Sequence, residues 1–308
     1  MEMKEFAVKI QRAMTEVLGE GYEVKLQEVQ KNNGIRLQGL IIMTEEKNVS
    51  PTIYLKPFWE AYEGGVTLAE IVTKMLQIYR EDTPKDSIDM SFFKDFEKVK
   101  DRICYRLISA ARNRSLLERI PHIPFLDLAI CFYYAYEGEP LGTGTILIYN
   151  THVDLWKTST AELMRCAQSN TPVLFEGECN PMELVVKELL QERELQGRDI
   201  LLSEEERNRF LADMPMQILS NRQRVHGAAV ILYPGMLEML GDKFLSNFFI
   251  LPSSVHEVIL LLDNGLENPG SLRAMITEVN RTQVEPEEVL SDSLYYYDRK
   301  EKRIRILR

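Results

Sequence analysis

Apolar residues recur at helical spacing over Phe6, Ile10, Met14, Val17 and Leu18, and Gly19 and Gly21 follow, which predicts one amphipathic helix with a glycine stop. The period then falls to two. Tyr22, Val24 and Leu26 alternate with charged residues, Asn33-Gly34 supplies a turn that tolerates positive φ, and Ile35 to Met43 gives the returning strand of a hairpin. After Pro51, the extended piece Thr52 to Leu55 leads into a helical turn around Phe58, Trp59 and Tyr62, ended by Gly64-Gly65. A further helix opens on Thr67 and Glu70, the spacing of a capping box, with Leu68, Ile71, Val72, Met75, Leu76 and Tyr79 as its apolar stripe.

From Thr83 to Met90 the chain is polar, and around Phe92, Phe93 and Phe96 the period is ambiguous. The run DLAICFYYAY, Asp127 to Tyr136, reads as a buried strand, and the glycines of EGEPLGTG turn it into a second strand, TILIYN. Ser159 with Glu162 opens a helix through Leu163, Cys166 and Ala167 that is expected to end before Pro172. Charge dominates Met182 to Phe210, which predicts two exposed helical pieces around Gly197. In the last third, Met216 to Ser220 is a candidate strand, HGAAVILY a buried element and Met236 to Phe244 a short helix. FFILP and HEVILLLD are two strands joined at Pro252-Ser253-Ser254, Ser271 is the expected cap of a helix through Met275, Ile276 and Val279, and SLYYYDRKEKRIRIL is a final hairpin. Frequent hairpins predict an α+β fold, with antiparallel sheets built from hairpins and helices packed on them. The length suggests two domains, 1–118 and 119–308, the second carrying a charged helical insertion near 182–211.

Composition narrows the partners. A formal charge of −10, from 37 Lys plus Arg against 47 Asp plus Glu, repels phosphate backbones and anionic lipid, so neither nucleic acid nor membrane is expected as a partner. The arginines Arg102, Arg106, Arg112, Arg114 and Arg119 form a local basic run, read here as a solvated face paired with nearby acids. Cys104, Cys131, Cys166 and Cys179 are widely spaced, without the C-x-x-C pair of a zinc or redox motif, and fit buried thiols in a reducing compartment. The opening MEMKEFAVKIQRAM has charges throughout and no apolar h-region, and no stretch is long and apolar enough for a membrane span; the expected location is the cytoplasm.

Imidazole chemistry must draw on His122, His152, His226 and His256. In Ser253-Ser254-Val255-His256-Glu257 a strand would place Ser254 and His256 on one face with Glu257 opposite, a conceivable nucleophile and base, although side chains two apart on a strand run parallel. His152 and Asp154 would share a face if the strand TILIYN continued. His226 follows the polar run Asn221-Arg222-Gln223-Arg224, where Arg222 and Arg224 offer donors to a small anionic ligand or a partner's carboxylate. The glycines at Gly142 and Gly144 lack the lysine and the helix of a phosphate loop. No metal motif and no cofactor fingerprint occurs, so neither is expected.

The strings NVSPTIYLKPFWEAYEGG, FEKVKDRICYRLI, FILPSSVHEVILL and VEPEEVLSDSLYYYDR resemble a bacterial family of uncharacterised proteins defined only as a domain of unknown function. The resemblance covers most of the chain, least well Leu189 to Leu211, and implies a bacterial cytosolic origin without any activity. The expected function is a non-enzymatic binding or regulatory module with a protein or small anionic partner. The alternative is a hydrolase-type enzyme built on dispersed histidine, carboxylate or serine residues.

Overall fold

The computed structural model describes residues 1–84, 87, 89–138, 142–183 and 216–307. They form an α+β fold with antiparallel sheets, as the hydrophobic periods predict. Two compact units divide the chain: Met1–Asp95 with Tyr136–Gly144, and Phe96–Ala135 with Thr145–Arg308.

In the first unit, helix α1 (Met3–Leu18) turns Phe6, Ala7, Ile10 and Met14 inward. Strands β1 (Glu23–Gln30) and β2 (Arg36–Met43) pair antiparallel from Glu23↔Met43 to Gln30↔Arg36, and β3 (Thr52–Tyr54) adds to β2. The hairpin turn holds Asn33 at φ 58° and Gly34 at φ 70°, the paired positive values that let a short turn follow the twist of its strands. Val24, Leu40, Ile42 and Ile53 meet α1 and the stripe Ile71, Val72, Met75 and Tyr79 of α3 (Leu68–Asp82) in one core, and α2 (Lys56–Glu63) lays Phe58, Trp59 and Tyr62 against it. The α3 capping box is formed: Glu70 N–H donates to Thr67 Oγ1 (3.3 Å) and Thr67 N–H to Glu70 Oε2 (2.9 Å).

The second unit holds a six-stranded antiparallel sheet in the order β13-β12-β10-β11-β9-β8, made by β8 (Gly177–Pro181), β9 (Met216–Asn221), β10 (Phe248–Leu251), β11 (Val258–Leu262), β12 (Leu294–Asp298) and β13 (Arg303–Leu307). Phe249, Leu251, Leu261, Leu294 and Tyr296 pack under Leu272 and Ile276, which lie on the helix Pro269–Thr282. The alternate residues Phe248, Ile250, Leu260, Tyr295 and Tyr297 are buried too, so β10 and β12 read as unbroken apolar runs. A second sheet orders β4 (Ile103–Ser109), β6 (Leu128–Gly138) and β5 (His122–Phe125), with β7 (Gly142–Leu147) also on β6. The β4–β6 ladder runs from Ile103↔Tyr134 to Ser109↔Leu128 and so spans the boundary expected at residue 118.

Several local expectations change. The chain after β7 does not continue as a strand; it turns into a helix, Asn150–Trp156, with Asn150 N–H donating to the Arg119 carbonyl (2.9 Å). The helix Thr160–Leu174 runs through Pro172 because the proline falls in the last turn, where its missing N–H leaves only the Gln168 carbonyl without its intrahelical donor. Asn268, not Ser271, caps the helix Pro269–Thr282: its Oδ1 accepts the N–H of Gly270 (2.8 Å) and of Ser271 (3.3 Å), and Pro269 takes the first turn. The element HGAAVILY is a buried 3-10 helix, Gly227–Leu232. The charged pieces expected over Met182 to Phe210 lie, beyond Glu183, outside the described residues.

Candidate functional site

The alternation of β4 puts Cys104, Arg106 and Ile108 on one face, beside their β6 partners Tyr133, Cys131 and Ala129. Every one of these is buried and apolar or weakly polar except Arg106. Arg106 as a residue keeps some exposed surface, but its Nε is buried and has no hydrogen-bond partner among the described residues. Its Nη1 lies 3.5 Å from His226 Nε2. The groups that act on it electrostatically are Cys131, Tyr133 and Tyr149, none a carboxylate, and burial lowers its pKa from the ordinary guanidinium value. Arginine stays charged even so. A desolvated cation without a counter-ion is among the most costly arrangements a protein interior holds.

His226 reaches Arg106 from a loop whose conformation is over-determined. Asn221, buried at the end of β9, clamps Val225 with both amide atoms, Nδ2 donating to its carbonyl (2.8 Å) and Oδ1 accepting its N–H (3.1 Å). Arg224 and His226 sit at φ 52° and 54°, left-handed values that cost a non-glycine residue about 1–2 kcal/mol. Gly227 follows, and a Cβ there would overlap Ser220 Oγ and the His256 carbonyl oxygen. With Arg106 donating to Nε2, the His226 proton belongs on Nδ1, which is also buried and unpartnered among the described residues. Burial first, then Arg106 and His256, hold the His226 pKa well below 6.5, so the ring is neutral at physiological pH.

The His256 ring stacks on His226, with centroids 5.9 Å apart and planes 9° from parallel, and Tyr133 meets His226 edge-on at 5.2 Å. His256 Nδ1 lies 2.9 Å from the Arg224 carbonyl, which assigns it a proton and makes its 3.4 Å approach to the His226 N–H a weak contact. Its Nε2 is 3.5 Å from Glu288 Oε1. Burial raises the Glu257 carboxyl above its usual value, Arg224 and His256 oppose that rise, and Glu288 adds to it.

Of the residues singled out from sequence, His226, His256, Glu257 and Ser254 therefore share one region, and Arg224 joins them through its carbonyl and its charge. Ser254 does not stand on a strand with His256: its Oγ accepts the His256 backbone N–H (3.0 Å), while Ser220 Oγ donates to the His256 carbonyl (2.7 Å). A serine hydrolase needs the hydroxyl to donate to the imidazole, and the two His256 nitrogens here face Arg224 and Glu288 instead. His152 and Asp154 lie on the helix Asn150–Trp156, not on a shared strand face. There His152 Nδ1 accepts the Tyr149 N–H (3.1 Å), its ring stands 5.7 Å from Trp156, and burial lowers its pKa. Arg222 pairs with Glu176 (2.8 Å) on exposed surface.

Arg106 was hidden in the arginine run, and the reading of that run as a solvated face fails for it; the signal was its place in ICYRLIS, an arginine with apolar neighbours on both sides. Among the described residues no group of His, Cys, Asp or Glu is arranged to hold a metal ion, and no helix is long and apolar enough to cross a membrane. Among the described residues, what the cluster offers is a cation and two buried N–H donors without acceptors.

No curated protein and no solved structure matches the chain. A family model does match, over residues 3–299, nearly the whole length, and the chain belongs to the family of unknown function DUF5688.

Proposed function

We propose that the protein is a non-enzymatic binding module that takes a small anion at Arg106 and His226. The observation that carries this reading is the buried Arg106 guanidinium, which meets an imidazole and no carboxylate among the described residues. An anion there accepts from Arg106 Nε, a buried donor without an acceptor among the described residues, and neutralises the charge. Cytosolic residence fits the four free thiols, of which Cys104 and Cys131 are buried, with pKa values pushed up to about 12 by desolvation.

The test is thermal unfolding in acetate, phosphate or sulfate against chloride of equal ionic strength. A ligand that binds only the folded state raises the melting temperature, by about 2.7 kcal/mol of stability at a hundredfold excess over Kd. Arg106→Met is expected to melt at the same or a higher temperature than the parent, because an apolar side chain replaces a buried cation that meets no carboxylate among the described residues, and to lose the response to anions. No specific response of the parent to any of the three anions overturns the reading.

A further inference from the structure

We infer that strand β13 is a docking edge for an extended peptide in which acidic and apolar residues alternate, added to the six-stranded sheet as one more strand. Among the described strands β13 (Arg303–Leu307) pairs only with β12, so alternate residues along it turn their N–H and C=O groups away from the sheet. A peptide laid along that side receives main-chain hydrogen bonds in the pattern the sheet already uses.

Side chains select the peptide. The register Tyr297↔Ile304 and Tyr296↔Arg305 puts Arg303 and Arg305 on one face of the sheet and Ile304 and Ile306 on the other. Both arginines are exposed, and both isoleucines keep part of their surface open. The Arg305 guanidinium stands over the Tyr296 ring, 5.3 Å from its centroid, which holds it in place. A strand beside β13 therefore meets cations at every second residue and apolar surface at the residues between.

The charge of this edge runs against that of the chain. Six of the ten residues 299–308 are Lys or Arg and one is acidic, although the net charge is −10. Arg299 pairs with Asp242 (3.1 Å) and Lys302 with Glu238, both on the helix Met236–Phe244. Lys300, Arg303 and Arg305 have no carboxylate partner among the described residues. Charge on an edge strand keeps it from pairing with its own kind, and a second copy laid antiparallel would set arginine against arginine. An acidic strand meets the opposite condition.

The experiment is fluorescence anisotropy of the labelled peptide EVEVEVE titrated with the full chain. Saturable binding is expected, weakened by added salt because the charges are exposed. The block isomer EEEEVVV, of equal charge, is expected to bind more weakly, since it cannot match the alternation of β13. Arg303→Glu combined with Arg305→Glu is expected to weaken EVEVEVE roughly tenfold, two surface attractions having become repulsions. Strand addition is read on the parent protein with N-methylated peptides: methylation of either the glutamate or the valine amides abolishes binding, and methylation of the other set leaves it, because only one set faces the edge. Absence of saturable binding, equal affinity for the two isomers, or unchanged affinity in the double variant overturns the proposal. Tolerance of both N-methylated sets overturns strand addition, and tighter binding of a single-stranded oligonucleotide at the same salt makes the basic edge a nucleic-acid surface instead.

Discussion

A side chain at Gly227 has nowhere to go, since Ser220 Oγ and the His256 carbonyl oxygen occupy the space where a Cβ would stand. Gly227→Ala is therefore expected to cost about 3 kcal/mol in urea unfolding, at the upper end of ordinary overpacking, because the obstacle includes backbone. His226 adds a pH dependence to the stability. Its folded pKa lies below its unfolded value of 6.5, so the unfolded chain binds the proton more tightly. The stability this preserves is complete above about pH 6.5 and declines as pH falls towards the folded pKa, by up to about 1.4 kcal/mol per pH unit. Denaturation at pH 7.5 and 5.5 should show a smaller acid loss in His226→Asn than in the parent. His152, whose pKa is lowered in the same direction, accounts for part of what remains. Both histidines were visible as candidates from sequence because histidine is rare here. The residue that gives His226 its meaning was not: Arg106 differs from its arginine neighbours only in lying mid-strand, which becomes decisive once β4 is known to be covered.

Elements were legible wherever local pattern and long-range packing agreed. The first hairpin combines period-two alternation with Asn33-Gly34, and both strands and the turn form, with Tyr22 exposed and just ahead of β1. The runs around Phe248 and Tyr295 were found because strands buried on both faces remain apolar throughout. Legibility failed where a distant group decided the outcome. The Arg119 carbonyl diverts the chain at Asn150 into a helix, and with it His152 and Asp154 leave the strand face expected for them. Ser254 is similar: its hydroxyl serves the backbone of its own turn, a local bond that competes with extended structure. Asp127 is the strongest case, since its carboxylate accepts from Ser291 (2.5 Å), Ser293 (2.9 Å) and Tyr295 (2.6 Å), more than a hundred residues away in the chain. Nothing near Asp127 in sequence announces that role. The site loop combines both situations: Asn221 holds Val225 four residues on, while the groups that fix Gly227 are Ser220 Oγ of β9 and the His256 carbonyl just before β11.

At the scale of the molecule, the acidic balance that argues against nucleic acid and lipid says nothing about a single buried cation. A net charge of −10 does not decide the balance at Arg106, where the groups acting on the guanidinium are Cys131, Tyr133 and Tyr149 and none is a carboxylate.

The division of the chain has a further consequence. Residues Tyr136–Gly144 belong with Met1–Asp95, although Phe96–Ala135 of the other unit comes between them in sequence. Within that first unit, Tyr136 brings its ring to 6.4 Å from that of Phe92. Cutting the peptide bond after Asp95 therefore does not release a complete unit, because the larger fragment keeps a piece that the smaller one needs. Co-expressed as 1–95 and 96–308, the halves should complement each other and elute together on size exclusion, behaving as a split protein whose reassembly can report on the proximity of two fused partners. Separate elution of two folded fragments would show that the Tyr136–Gly144 segment is dispensable to the first unit.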